Sequence, residues 1–383
     1  MIKKFLLKGS RYLLNQEADK ALNRLLEEAT FDPVNDERPH QVKSILFVIP
    51  TMLPNMGGLT SLLRVASACA KKGISVFYMD YYGADKQQQI DAAEYNLPGH
   101  GGIFLTSEEA NNRHFDVVCA SDWASVYYAK KIPGYHIWFV QDYEPYFFNY
   151  SDNYFLAKKA FDLGFHLISL GKWNLDQIEE KQRKKCKMDW IEFPFEPSEY
   201  PFKPRDFKQY QGKKEVSLAI YTKREAKRTP SLLQSMVFHA QQELAKKGIT
   251  LIPYFFGLNQ KEKVKVGTNL GRLSKQDLAD LYHRCDFGLV FSLTNISLVP
   301  YEMLGCGLPV IEFADGSYPY FLGDDTAILV DLDYLQLAKA IEDCLNDPSG
   351  LEAMMEKAKK RIENLSWEKT KQAFVDFVLG LKE

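Results

Sequence analysis

The chain has 383 residues, of which 46% are hydrophobic and 13% aromatic, so it exceeds what one core usually supports and two domains are expected. Its 48 basic and 50 acidic residues leave a formal charge of -2, which does not favour a nucleic-acid partner. The six cysteines are scattered singly, without a CxxC pair or a histidine cluster beside them. This usage predicts a reduced, cytoplasmic protein without structural zinc.

The first 40 residues carry leucine, alanine and phenylalanine at a heptad-like spacing, which predicts an amphipathic N-terminal helical extension. Such a helix ordinarily packs on its own domain or on a second copy of the chain, as in a homodimer. Peripheral docking on a membrane surface stays open as the alternative. No stretch of the chain reaches the roughly 20 apolar residues that span a bilayer.

From residue 44 onward, short apolar runs alternate with amphipathic segments, which is typical of β-α units around a parallel sheet. Polar, turn-rich residues 193–215 interrupt this pattern and predict a linker between two series of units. The predicted strands are 44–50, 74–82, 116–122, 135–142 and 166–171, and then 216–222, 249–256, 264–270, 287–293, 309–314 and 327–331. Helices are predicted at 229–247, 274–285 and 334–347 in the second series.

The stretch SLTNISLVPYEMLGCGLPVI, residues 292–311, is the most specific in the chain. It predicts a strand that ends at Ser292 or Leu293 and a helix that begins near Ser297. Backbone N–H groups of Ile296 to Val299, which include those of Ser297 and Leu298, then point outward from a helix N-terminus. Such a group of donors predicts an anion site for a diphosphate.

This stretch resembles the donor-binding motif of glycosyltransferase family 4, whose pattern is Glu, seven residues and a second Glu. Glu302 matches the second Glu, which in the family holds the nucleotide ribose. Thr294 stands at the first position, so it could supply a hydrogen bond to the donor but no ionised carboxylate. A nucleophilic role at that position is therefore in doubt.

The resemblance covers most of the chain from Ser44 and implies the α/β GT-B fold, with two Rossmann-like domains whose parallel sheets face a central cleft. The expected organisation is an extension at 1–40, an acceptor domain at 41–200 and a nucleotide-sugar donor domain at 201–365. Residues 366–383 resemble the terminal helix of GT-B proteins, which crosses back to the first domain.

The basic stretch YTKREAKRT follows a predicted strand and carries Lys223 and Arg228 five positions apart. The family has an arginine and a lysine at this spacing, and the resemblance implies that both bind the leaving diphosphate, whose charge grows as the glycosidic bond breaks. Arg224 and Lys227 are the alternative pair. The ordinary alternative is a set of solvated charges ahead of a helix.

Two glycine-containing segments also resemble family features. Gly271 and Arg272 look like the segment that lies beneath the base of the nucleotide. Gly57 and Gly58 look like the loop between the first strand and its helix, where glycine lets the backbone approach a ligand closely.

Residues 138–148, WFVQDYEPYFF, resemble the QDYEP stretch of bacterial rhamnosyltransferases that build polyrhamnose chains, such as those of S-layer glycans. The resemblance implies dTDP-rhamnose as donor and a glycan acceptor, with a lipid-linked acceptor among the alternatives. Gln141, Tyr143 and Glu144 are candidate acceptor-binding residues, and Asp142 is the candidate catalytic carboxylate. The competing interpretation of Asp142 is a cap of the following turn.

Together these residues predict a retaining glycosyltransferase that acts in the cytoplasm or at the membrane periphery, with a nucleotide-sugar co-substrate and no further cofactor. No metal is expected, because Asp333 in Asp331-Leu332-Asp333 precedes a helix and is better placed as its N-cap. A nucleotide-sugar epimerase and a non-catalytic nucleotide-sugar sensor are the alternatives. The first lacks a clear acid/base set, and the second is motivated by Thr294.

Overall fold

The computed structural model describes residues 19–27, 29–34 and 36–382. Half of the predicted extension at 1–40, namely residues 1–18, 28 and 35, lies outside the described residues, so the predicted membrane or homodimer contact stays a prediction. Residues 19–27 are helical and are named α1. None of the helices in the described ranges combines the length and apolar composition needed to cross a lipid bilayer.

The chain divides into two compact units after Ile191. The first contains the residues up to Ile191 and those from Lys371 onward, and the second contains Glu192–Thr370. The sequence places this boundary nine residues later, after residue 200.

The first unit contains a parallel sheet in the order β3-β2-β1-β4-β5-β6-β7. Its strands are β1 (Ser44–Ile49), β2 (Ser75–Asp80), β3 (Ile103–Leu105), β4 (Val117–Ala120), β5 (Tyr135–Val140), β6 (His166–Leu170) and β7 (Met188–Ile191). The helices that follow α1 in this unit are α2 (Gly57–Lys71), α3 (Lys86–Asn96), α4 (Ser107–Asn111), α5 (Trp123–Ala129), α6 (Asp152–Ala160), α7 (Trp173–Asp176) and α8 (Glu180–Arg183).

The second unit contains a parallel sheet in the order β10-β9-β8-β11-β12-β13. Its strands are β8 (Glu215–Tyr221), β9 (Thr250–Phe256), β10 (Thr268–Asn269), β11 (Phe287–Leu289), β12 (Val310–Phe313) and β13 (Ile328–Val330). Its helices are α9 (Pro230–Lys246), α10 (Lys275–Arg284), α11 (Val299–Gly305), α12 (Tyr318–Leu322), α13 (Tyr334–Asn346) and α14 (Ser349–Ile362).

The last helix, α15 (Trp367–Leu379), begins in the second unit, and its residues from Lys371 belong to the first. Phe374 of this helix lies against Phe47 of β1 and Phe139 of β5, with ring centroids 6.3 and 5.2 Å apart. The contact buries three aromatic rings on one face of the first sheet.

The central strands form because they are continuous apolar runs that helices cover on both faces. In β1 every residue after Ser44 is buried, and all six residues of β5 are buried. Side-chain caps fix several helix starts: Asp122 accepts the Ser125 N–H ahead of α5, and Asp333 accepts the Leu335 N–H ahead of α13. The predicted N-cap role of Asp333 is confirmed.

Each sheet reverses its strand order once, between β1 and β4 in the first unit and between β8 and β11 in the second. Ligands of open parallel sheets bind beyond the carboxyl ends of the strands at such a switch point. The loops that follow these strands are therefore the places to look for a site in each unit.

Candidate functional site

The switch point of the second sheet brings together the loop after β8, residues 222–229, and the loop after β11, residues 290–298. The two loops are joined by a hydrogen bond from the Leu293 N–H to the Lys227 carbonyl, at 2.9 Å. The basic stretch and the donor-like motif, which are far apart in sequence, thus lie side by side.

Lys223 and Arg228 both lie near the ring of Tyr221, the last residue of β8. The Lys223 Nζ is 5.9 Å and the Arg228 Cζ 5.4 Å from the ring centroid. Arg228 is only 4% exposed, and neither its Nε nor its Nη1 has a hydrogen-bond partner in the described structure. A buried guanidinium with unused donors is suited to an anionic ligand, because burying an unpaired charge is costly.

Arg224 has a different environment, because its Nε donates to Glu262 at 2.6 Å and its side chain is 65% exposed. The nearby Lys223 is less exposed, and its Nζ lies 3.9 Å from the Glu225 carboxylate. The geometry therefore favours Lys223 and Arg228 over the alternative pair that includes Arg224.

The loop after β11 uses part of the backbone that was expected to bind an anion. The Ile296 N–H donates to the Asn295 side chain at 2.8 Å, and the Val299 N–H donates to the Ser297 hydroxyl at 3.3 Å. The helix α11 begins only at Val299, and Pro300 at its start carries no N–H. The prediction that Ile296 to Val299 form an open row of donors is wrong for Ile296 and Val299; Leu298 is the N-cap.

The backbone at Ser297 has a φ of 71°, which L-residues rarely adopt. Thr294, at the position of the family's first Glu, has no exposed surface, and its carbonyl accepts a hydrogen bond from the Ser317 hydroxyl. A direct contact between the Thr294 side chain and a sugar is therefore not available in this conformation.

Glu302 lies in the first turn of α11 and accepts a hydrogen bond from the Tyr282 hydroxyl at 3.3 Å. Burial raises the pKa of Glu302 to about 7, and hydrogen bonds from Tyr200 and Tyr282 oppose the shift. Two phenols thus hold the carboxyl, and because the residue is partly exposed it can still meet hydroxyl groups of a ligand.

Gly271 belongs to the same edge of the second sheet, because its carbonyl accepts the N–H of Gly257, which directly follows β9. Its φ of 73° favours glycine. The neighbouring Arg272 is exposed.

Glu312 in β12 was not singled out from the sequence. It is 3% exposed, and its Oε1 has no hydrogen-bond partner in the part of the chain described here. Together with Ser292, Ile296 and Ser317 it lines a small cavity beside the loop after β11. A lone acidic residue within an otherwise apolar parallel strand was the signal that could have revealed it.

In the first unit, the loop after β5 lies against the start of α2. A Cβ on Gly58 would meet the Gln141 side chain at 3.5 Å, whereas one on Gly57 would meet nothing within 4 Å. The structure therefore brings Gln141 next to the glycine pair. Gly58 is thus close to the Gln141 side chain, whereas Gly57 has no comparable neighbour.

The other candidates after β5 have structural partners. Asp142 is buried and its Oδ1 accepts the Tyr143 N–H at 2.8 Å, which fits the capping interpretation. The Glu144 carboxylate accepts the Trp123 N–H at 2.6 Å, which gives the first N–H of α5 a hydrogen-bond partner. Tyr143 is a correction to the predicted acceptor surface: it is 3% exposed and stacks on Phe161 in the core, whereas Tyr146 is 47% exposed.

No group of three or more histidine, cysteine, aspartate or glutamate residues that could hold a metal ion occurs in the described ranges.

Comparison with known proteins gives matches to part of the chain and to its fold. Residues 241–374 match a protein-family model described as "Glycosyl transferase-like". The O-antigen biosynthesis protein RfbC of Myxococcus xanthus is 25% identical over 272 residues, which cover 66% of this chain and 20% of that protein. The chain thus spans about a fifth of the length of this relative.

The similar solved structures cover nearly the whole chain. Anabaena Alr3699/HepE in complex with UDP-glucose has a TM-score of 0.63 at 14% identity, covering 88% of this chain and 99% of that one. WaaG, a glycosyltransferase involved in lipopolysaccharide biosynthesis, has a TM-score of 0.59 at 13% identity and covers 88% and 100%. Sucrose-phosphate synthase from Thermosynechococcus elongatus has a TM-score of 0.64 at 14% identity and covers 88% and 99%. The chain therefore has the GT-B fold that its sequence predicts, and residues 241–374 carry the match to glycosyl transferase-like proteins.

Proposed function

We propose that this chain is a glycosyltransferase that moves a sugar from a nucleotide diphosphate donor to a glycan acceptor in the synthesis of a bacterial surface polysaccharide. The observation that carries the proposal is the pair Lys223 and Arg228 at the switch point of the second sheet, with unused donors on the buried guanidinium. Two cations that lie next to the loop after β11 suit a diphosphate leaving group. The partial family match and the name of RfbC support the same class.

The reaction we propose retains the configuration of the sugar. The bond between the anomeric carbon and the phosphate oxygen breaks, and the diphosphate keeps the electron pair. The acceptor oxygen bonds to the same face of the sugar, and its proton passes to the departing phosphate oxygen. Lys223 and Arg228 stabilise the negative charge that develops there, and Glu302 binds the ribose hydroxyls.

The donor we propose is dTDP-rhamnose. The support is the resemblance of residues 138–148 to polyrhamnose-building enzymes, together with the threonine at 294. Gln141 and Tyr146, both in the segment that follows β5, are the first candidates for acceptor contacts in the first unit. Asp142 remains the candidate for a catalytic carboxylate in that unit.

A panel of nucleotide sugars tested by thermal shift provides the first experiment, because a ligand selective for the folded state raises its stability with the logarithm of concentration. Transfer of sugar to acceptor should follow with the donor that stabilises the protein most. Absence of stabilisation by every nucleotide sugar and nucleoside diphosphate in the panel would contradict the proposal.

A non-catalytic sensor is the second candidate, and the full burial of Thr294 favours it because no carboxylate takes that place in the motif. The sensor would be supported if a nucleotide sugar stabilises the protein but no sugar is transferred to any glycan fraction that is tested as acceptor. Turnover with any donor and acceptor pair would exclude it.

Added EDTA is expected to leave transfer unchanged, because in the proposed mechanism side-chain cations neutralise the diphosphate. Rates with EDTA and with added magnesium provide the measurement. A strict requirement for magnesium or manganese would contradict the metal-independent mechanism.

A further inference from the structure

Exposed aromatic rings lie at the start of α6 in the first unit. Tyr150, just ahead of this helix, is 80% exposed, and Phe155 within it is 50% exposed. Their ring centroids are 4.8 Å apart, and the ring of Tyr154 lies 5.3 Å from that of Tyr150 and 5.7 Å from that of Phe155. These three residues are called the aromatic patch. Single exposed rings are common, whereas rings that contact one another in solvent indicate a surface for a partner.

The cap of α6 holds the patch in place. Ser151 is the N-cap and accepts the Tyr154 N–H at 3.4 Å, so Tyr150 and Phe155 occupy the two positions that form a hydrophobic staple. A staple explains why these two rings meet, but it leaves most of Tyr150 and half of Phe155 in solvent. The rings are thus fixed while their outer surface stays available, which lowers the entropy that a ligand loses them on binding.

The patch adjoins the segment that follows β5. The short turn at residues 144–147 packs on α6, and the ring of Tyr146 in this turn lies 4.8 Å from that of Tyr143. Burial raises the pKa of Tyr143, and the phenols of Tyr146 and Tyr154 add to this shift, so both lie close to the Tyr143 hydroxyl. The patch is therefore a neighbour of Tyr146, which is one of the candidates for acceptor contacts.

The charges around the patch argue against an anionic partner. Lys158, whose Nζ is 5.8 Å from the centroid of the Tyr154 ring, forms an ion pair with Glu179. Lys159 pairs with Asp162 at 3.5 Å. A surface that docks on anionic lipid instead carries an excess of lysine and arginine. The patch is thus suited to a partner without net charge.

The side chains of the patch suit a carbohydrate. A pyranose ring has a face of C–H groups that can pack on an aromatic ring, while its hydroxyls need polar partners. Asn149 and Asp152, both exposed and next to the patch in sequence, provide an amide and a carboxylate of that kind. We propose that the aromatic patch binds the glycan acceptor at sugars that do not themselves react. The inference rests on the proposed function, since it takes the acceptor to be a glycan chain.

The test measures binding of glycan without turnover. The probe is the surface polysaccharide of the cell that makes this protein, partially hydrolysed and separated into a short and a long fraction. In affinity electrophoresis, the long fraction should retard the wild-type protein more than the short fraction does at equal mass concentration. Tyr150→Ala and Phe155→Ala should each weaken binding of the long fraction about 2- to 10-fold, because each removes one aromatic contact. Phe202→Ala is the matched control, since Phe202 is 52% exposed and belongs to the second unit; it should bind like the wild type.

Transfer kinetics with the same two fractions as acceptors provide a second readout. The double variant Tyr150→Ala/Phe155→Ala should raise KM for the long fraction and leave kcat unchanged, because the patch contacts sugars that do not react. Its kinetics with the short fraction should equal those of the wild type. A disturbed catalytic site would instead lower kcat with both fractions.

Failure of the wild-type protein to bind the long fraction, or equal binding of that fraction by the wild type and both single variants, would overturn this inference. It would also be overturned if Tyr150→Ala keeps glycan binding but abolishes binding to phosphatidylglycerol vesicles, or converts a dimer into a monomer in size-exclusion chromatography. The first result would assign the patch to a membrane and the second to another copy of the chain. The proposed function is decided separately, by stabilisation with nucleotide sugars, which does not involve the patch.

Discussion

Lys223 and Arg228 differ in how much of each side chain reaches solvent, and this difference determines what each can contribute. Arg228 is almost fully buried, whereas about a third of Lys223 is exposed. A charge-assisted bond in a desolvated place is stronger than one at the surface. Arg228 should therefore bind an anion more strongly, and the contribution of Lys223 should be weakened more by solvent.

The first prediction concerns these two cations. Lys223→Ala or Arg228→Ala should each lower turnover about 10- to 150-fold, because each removes a contact worth about 1.5 to 3 kcal/mol. Steady-state kinetics of sugar transfer provide the measurement, with Lys246→Ala as an exposed control on α9. If both variants keep wild-type rates, the phosphate site lies elsewhere, and a loss in Arg224→Ala would favour the alternative pair.

The second prediction concerns Glu302, whose pKa burial raises from 4.5 to about 7. Between these values the folded protein binds a proton that the unfolded chain releases, so the free energy of unfolding falls as pH rises. The stabilising contribution is complete below about pH 4.5 and is lost as pH rises through about 7. The loss amounts to at most about 3.4 kcal/mol, at about 1.36 kcal/mol for each pKa unit.

Glu302→Gln is uncharged at every pH and lacks this decline. Its stability relative to wild type should therefore be higher at about pH 8 than at about pH 5, by urea unfolding. Glu352→Gln, at an exposed position of α14, should show no such trend. If the stability difference between Glu302→Gln and wild type is the same at both pH values, the Glu302 carboxyl is not buried as described.

At the scale of single elements, the turn before α11 stores backbone strain at Ser297, where φ is 71°. Strain of this kind is found at ligand-binding and switch regions, where the surrounding structure maintains it. Here the supporting contacts are the Asn295 side chain on the Ile296 N–H and the Ser297 hydroxyl on the Val299 N–H.

The third prediction tests that strain by comparing Ser297→Gly with Ser297→Ala, because both remove the hydroxyl and only alanine keeps a Cβ. The glycine variant should be the more stable of the two by about 1 kcal/mol. The same two substitutions at Glu356, an exposed residue within α14, provide the reference. There the alanine variant should be more stable than the glycine variant, because alanine favours a helix. An alanine variant at 297 as stable as glycine would show that the turn is unstrained.

The elements that the sequence predicts well are those with an unambiguous apolar period. Strands such as β1 and β5 are continuous buried runs, and the predicted helix at 229–247 is observed at Pro230–Lys246. β3 and β7 were missed, because β3 has three residues and β7 has two exposed residues of four. Short or half-exposed strands carry too few apolar positions to stand out from loops.

At the scale of the whole molecule, the two strand orders could not be read from the sequence, and they determine which loops are neighbours. The sequence identifies residues 222–229 and 292–298 separately, but only the pairing of β8 with β11 brings them together. Glu312 was missed for a related reason: its burial and its place beside the loop after β11 follow from the pairing of β11 with β12. The burial of Tyr143 and the pairing of Glu144 with α5 likewise depend on tertiary packing.

The final prediction concerns the donor sugar, and it follows from what the chain offers around the proposed site. Thr294 is threonine and is fully buried, so the carboxylate that the family pattern places there for sugar hydroxyls is missing. Rhamnose has a methyl group in place of a 6-hydroxyl and therefore needs an apolar wall. In the first unit, Tyr146 and Phe147 remain partly accessible after β5.

dTDP-rhamnose should therefore be preferred over dTDP-glucose and UDP-glucose, with transfer to a rhamnose-containing acceptor. A hydroxyl buried against an apolar wall without a partner costs about 1 to 3 kcal/mol, which corresponds to a preference of about 5- to 150-fold. Competition between donors at equal concentration measures it. Faster transfer from either glucose donor would exclude the rhamnose assignment, while the assignment of the chain as a glycosyltransferase would stand.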